Sequence, residues 1–124
     1  MPTWLIRRAL IAISGLTLVS GGVQALAPRR LLRTLAAEED ATSRHLFGTI
    51  GMFMFVVGGG LLNALLRPAR DPVIVFWAAL QKIGAFVAVA IGVKRRVFSP
   101  IALGVAFFDL LSGLLAAEYW RRIR

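Results

Sequence analysis

Cysteine is absent from the 124 residues. That excludes disulfides, thiolate nucleophiles and thiolate metal sites. Histidine is nearly absent as well. His45 is alone, and one imidazole without partnering cysteines or carboxylates does not make a metal site. No catalytic triad or phosphate-cradling loop is present. Gly58-Gly59-Gly60 is glycine-rich but lies inside an apolar run, where it packs or loosens a helix and cradles nothing. Catalytic residues, cofactor-binding residues and a metal site are therefore not expected. Charge is the third scarcity. Only 17% of the residues are charged, and they cluster at 7–8, 28–44, 67–72, 94–96 and 118–124.

What fills the gaps is hydrocarbon. Hydrophobic residues make up 58% of the chain, against roughly 45–50% in soluble domains. Four long apolar stretches emerge, at about 9–27, 45–66, 73–93 and 101–120. Each is long enough to span a hydrocarbon core of roughly 30 Å as a helix. Only helices or closed barrels cross lipid, because every backbone polar group must be paired internally. Period-two alternation is missing, so the expected fold is all-α: a single membrane domain over residues 1–124, built as an up-and-down four-helix bundle.

The first stretch invites a signal-peptide reading, with Arg7-Arg8 before it and Ala25-Leu26-Ala27 near its end. Its apolar run exceeds the usual signal core, and Pro28 would follow the cut directly. A retained helix is expected. Prolines punctuate the other connections, Arg67–Pro72 and Lys94–Pro100. Residues 29–37 place Leu31, Leu32 and Leu35 on one side and Arg29, Arg30 and Arg33 where headgroups would meet them, which predicts an interfacial amphipathic helix. Glu38-Glu39-Asp40 reads as solvated loop.

The net charge is +9 with a pI near 11.8. Basic residues that flank apolar spans face anionic headgroups, so the lipid bilayer is the expected partner and nucleic acid is not. Four spans put both termini on one side with the 67–72 loop. That side holds seven basic residues and the opposite side seven, so the positive-inside count is tied. Trp4, Trp77, Tyr119 and Trp120 fall near the terminal side, as interfacial aromatics should. The aromatic and basic run YWRRIR (119–124) leans the assignment towards cytoplasmic termini.

One residue conflicts with its surroundings. Lys82 is the tenth residue of the 73–93 span. A lysine at that depth costs roughly 2.5–3.5 kcal/mol and cannot easily reach either headgroup layer. The next span carries one interior acid, Asp109. Counted from their shared loop, Lys82 lies eleven residues before Val93 and Asp109 eight after Ile101. That difference is about 4.5 Å of helix rise, within a lysine's reach, so the spacing predicts a Lys82–Asp109 pair. Gln81 stands beside it. Ala78, Ala85, Ala88 and Gly92 are expected to share the face of Lys82, and Ser112, Gly113 and Ala116 that of Asp109. In the first span Ser14, Thr17, Gly21 and Gln24 recur at three or four residues, a stripe that either lines a polar cavity or bonds to backbone. The candidate polar site is thus Lys82, Asp109, Gln81, Ser14, Thr17 and Gln24. The pair is either a buried salt bridge that orients the bundle or a proton or substrate site.

The length, the four-span layout, the motif SRHLFGTIG (43–51) and the membrane lysine in QKIGA (81–85) make the chain similar to the DoxX-like group of small bacterial four-helix membrane proteins. The similarity runs from the first span through Asp109. It implies an integral, multi-pass protein of the bacterial inner membrane. Some relatives are named as subunits or partners of quinone-linked oxidoreductases, although no cofactor-binding residue matches that role here. Three functional expectations follow: a non-enzymatic accessory or assembly protein whose partner is another membrane protein; a carrier or proton-coupled site for a small or lipophilic molecule; and a membrane subunit handling quinone-type substrates.

Overall fold

The computed structural model describes all residues, 1–124. It is all-helical: α1 (Thr3–Leu26), α2 (Pro28–Thr34), α3 (Ala41–Leu66), α4 (Pro72–Lys94) and α5 (Ala102–Ile123). The four long helices are each apolar enough to cross a membrane, with mean hydropathy of 1.7, 1.9, 2.0 and 1.4 in chain order. α5 is lowest because its apolar stretch carries Asp109 and Glu118.

The helices outrun the apolar stretches at several ends. α1 begins at Thr3, not near residue 9, and α3 at Ala41, not 45. Charge ends a hydropathy run but not a helix: Arg7 and Arg8 keep good helical propensity. Arg7 also gains partners there. Its Nε and Nη2 donate to the Leu65 carbonyl at 2.9 and 2.6 Å, and Nη2 also reaches the Arg67 carbonyl at 3.0 Å. Those carbonyls end α3, where a cation also suits the helix dipole. The acidic 38–40 run is more than solvated loop. Asp40 caps α3 by accepting from Ser43 N at 2.9 Å, and Glu39 accepts from Arg33 at 2.8 Å with Arg29 at 3.6 Å. Two of the three arginines of the short α2 therefore engage protein.

Two helices end in left-handed caps built without glycine. At the end of α2 the Ala36 amide donates to the Arg33 carbonyl and Ala37 to Leu32, with Ala36 at φ 52°. At the end of α4 Arg96 donates to Val93 and Val97 to Gly92, with Arg96 at φ 60°. Both are left-handed caps that satisfy otherwise orphaned carbonyls. The Ser99 amide then donates to Leu35 O at 2.8 Å, tying the α4–α5 loop to α2.

The bundle consists of two antiparallel pairs, α1 with α3 and α4 with α5. They meet along looser seams, α1 beside α5 and α3 beside α4, so α1 and α4 lie on a diagonal and their backbones do not touch. Near the chain termini the interior is apolar: Ile6, Leu10, Leu61, Leu65, Val75, Ala78, Ala79, Ala116 and Tyr119 form one buried cluster. Beyond it the interior turns small and polar, with Ser14, Thr17, Gly21 and Gln24 continuing the buried face of α1. Large apolar side chains such as Val19, Phe53, Val87 and Leu111 point outwards. That arrangement suits a lipid surround and would be costly in water.

Glycines set the separation within each pair. A Cβ on Gly21 would lie 2.6 Å from Phe55 N, and one on Gly51 2.6 Å from Ala25 N. The α1 and α3 backbones therefore pack nearly in contact, as small residues permit in membranes. Gly113 plays the same part for α5, where a Cβ would come within 3.1 Å of both Ile83 N and Lys82 Cβ.

Candidate functional site

Lys82 lies midway along α4 and is only 6% exposed; Asp109 on α5 is 7% exposed. Lys82 Nζ donates to Asp109 Oδ1 at 3.0 Å. It also donates across the diagonal to Thr17 Oγ1 on α1 at 2.7 Å. The Thr17 hydroxyl proton is already committed, because Oγ1 donates to the Ile13 carbonyl at 3.0 Å. The hydroxyl oxygen therefore faces the ammonium as an acceptor. The Phe108 ring lies 5.6 Å from Nζ and adds cation–π attraction. Three helices, one from the first pair and two from the second, thus converge on one ammonium group.

The geometry follows from local sequence. Gly113 lets α5 approach α4 one helical turn from Asp109, and Ser112 turns its hydroxyl back to the Phe108 carbonyl at 2.7 Å, leaving the carboxylate to Lys82. Ala106 and Ala116, both buried, keep the same face of α5 thin. On α4 the expected small face holds at Ala78 and Gly92, which are buried, but Ala88 is exposed and lies outside it. At the loop end of that face the Phe98 ring packs over Gly92.

The remaining candidates do not join this cluster. Ser14 is buried but donates to Ile11 O at 3.1 Å within its own helix. Gln24 is buried and its Nε2 donates to the Phe47 carbonyl of α3 at 2.9 Å, a tie within the first pair. The stripe on α1 is therefore spent on backbone, with Thr17 alone reaching the lysine. Gln81 is half-buried, and its Oε1 is buried without a hydrogen-bond partner. It does not bond to Lys82 or Asp109.

The cluster pairs one cation with one anion, and both side chains are largely buried. One N–H of Lys82 and Asp109 Oδ2 make no hydrogen bond within the protein. The two main clefts lie at the bundle ends, and neither is lined by Lys82, Asp109 or Thr17. One, beside Arg44 and His45, is shallow and leaves the imidazole exposed. The other, at the terminal end, gathers arginines around Tyr119. In the sequence these arginines lie on two segments some 60 residues apart, so no local signal marks the cleft. No three histidine or carboxylate side chains converge on a point that could hold a metal ion. Comparison with family models, curated proteins and solved structures finds no match to this chain, so its reading rests on its own residues.

Proposed function

We propose that this chain is a non-enzymatic accessory or assembly protein of the bacterial inner membrane, related to the DoxX-like group and threaded with both termini in the cytoplasm. In this reading Lys82, Asp109 and Thr17 form a lock. It fixes the α4–α5 pair against α1 and keeps an outer surface ready for another membrane protein. One observation carries the reading: the lysine is buried, is met by a carboxylate and a hydroxyl, and borders neither main cleft. A buried ion pair that specifies arrangement needs nothing more. The short loops leave no aqueous domain for other chemistry.

The carrier reading draws on one specific feature, the polar capacity left over at Lys82, Asp109 Oδ2 and Gln81 Oε1. Intramembrane ionisable groups with spare capacity are the usual material of proton pathways. Proteoliposomes containing an interior pH dye separate the two. The lock reading expects proton leak equal to that of empty vesicles, for wild type and for Lys82→Met/Asp109→Leu alike. Proton flux in wild type that disappears in the double variant would replace the lock with the carrier. Topology is tested separately. The cysteine-free background accepts a single cysteine at either terminus, and protection from impermeant maleimide in intact cells is expected for both.

A further inference from the structure

The cleft at the terminal end has a volume of about 610 Å³. Arg7, Arg8, Arg67 and Arg70 line it against a single acid, Asp71. Asp71 is occupied as the cap of α4, accepting from Ile74 N at 3.4 Å. None of the four arginines has an ion-pair partner. The acid of α5 near this end, Glu118, is held by Arg121 and Arg122 at 2.9 and 2.6 Å. Arg7 is fixed in place by the α3 carbonyls with Nη1 left over. Arg8 stacks at 5.2 Å on Trp4, which also lines the cleft. A second feature points the same way. Tyr119 lines the cleft and is 6% exposed, yet its hydroxyl makes no hydrogen bond within the protein. The ring is buried, and the hydroxyl keeps accessible surface, so it is free to meet a group in the cleft.

Four guanidinium groups and an unpaired hydroxyl above an apolar floor of Ile11, Leu65 and Val75 describe a receptor for an anionic amphiphile. Guanidinium forks match phosphate oxygens in geometry and charge. The floor would accept the first carbons of an acyl chain, and the flanking Trp4 marks the headgroup level. We propose that this cleft binds the phosphate headgroup of an anionic phospholipid. The opposite end has as many cations, but there Arg29 and Arg33 share an ion pair with Glu39, whereas none of the four cleft arginines has one. This inference is independent of the lock reading, since it uses none of its residues.

The test uses the full chain in neutral detergent, with native mass spectrometry as the readout. Phosphatidylglycerol and phosphatidylcholine of equal chain length are titrated separately, and inorganic phosphate is added as competitor. Wild type is expected to retain phosphatidylglycerol about tenfold more tightly than phosphatidylcholine. Arg67→Gln/Arg70→Gln should abolish that preference, because both side chains are exposed and make no side-chain hydrogen bond or ion pair that folding would miss. Arg30→Gln/Arg95→Gln, an equal charge change at the other end, should keep it. Tyr119→Phe should weaken it a few-fold. Equal retention of the two lipids by wild type, or equal loss in both double variants, overturns the proposal. Displacement by inorganic phosphate at the same concentration as by the lipid overturns the lipid assignment and leaves a free-anion site.

Discussion

The two helix pairs are held by different means. α1 and α3 approach until glycine meets backbone, at Gly21, Gly51 and Gly58, and their side-chain ties run to backbone carbonyls, Gln24 to Phe47 and Arg7 to Leu65. α4 and α5 combine one close glycine, Gly113, with an ion pair and aromatic contacts between Phe76 and Trp120 and between Phe86 and Phe107. The first pair is set along its length by shape, with Arg7 tying only its terminal end, and the second by a buried ion pair at mid-depth. In lipid no hydrophobic drive separates right from wrong helix partners, so close packing and polar contacts must do it. Shape suffices within a pair. Joining two pairs across a loose seam needs a contact with longer reach, and Lys82 reaching Thr17 on the diagonal helix supplies it.

The largest expected effect breaks the shape side of that contrast. Gly51→Leu drives a side chain into the α1 backbone and should prevent α1–α3 pairing, costing more than about 4 kcal/mol. Gly113→Leu should cost less, because the nearest backbone atom its Cβ would meet, Ile83 N, is 3.1 Å away, against 2.6 Å from Gly51 to Ala25 N. Reversible unfolding in bicelles compares the two. Equal losses would erase the distinction between the pairs.

Next in size is Thr17→Val, which isolates the tie between pairs. It keeps volume and removes one acceptor from a buried ammonium. A loss of about 1–3 kcal/mol is expected, with the α4–α5 ion pair intact by isotope-edited NMR. A loss within a few tenths of a kcal/mol of zero would mean that the seam is held by packing alone.

The caps sharpen the comparison from outside the membrane. The Ser43 amide, and then its hydroxyl, hold the Asp40 carboxyl below its ordinary value of 3.8. A depressed carboxyl contributes stability that is complete above its unfolded value and fades as pH falls through the folded one. Acidification below pH 3.8 should therefore fray the first turn of α3, read as lower amide-exchange protection over 41–46. Asp40→Ala should show low protection at every pH. The smallest effect is at Ala36, whose φ of 52° strains a Cβ. Ala36→Gly should raise stability by about 0.5–1 kcal/mol, seen as a small rise in Tm.

Hydropathy made four helices legible, and it made Lys82 and Asp109 legible because each breaks an otherwise uncharged run. Their common depth followed from counting away from a shared loop. Thr17 was visible only as one member of a stripe, since which helix lies on the diagonal depends on how pairs dock. The N-terminus of α1 was hidden because Arg7 and Arg8 end the apolar run while their partners, the Leu65 and Arg67 carbonyls, lie some 60 residues away. The Asp40 cap did carry a local signal, an aspartate before a helical run, which the neighbouring acids obscured. The left-handed caps at Ala36 and Arg96 carried none, because neither residue is glycine. The arginine cleft needed the 67–71 loop folded beside α1 before its charges could be seen together.

The most direct test of the lock is a double-mutant cycle on Lys82 and Asp109, with unfolding free energy measured in bicelles for wild type, Lys82→Met, Asp109→Leu and both. The account predicts that each single change costs about 3–5 kcal/mol and that the double variant recovers most of the loss. Single variants as stable as wild type, or losses that simply add in the double variant, would contradict it.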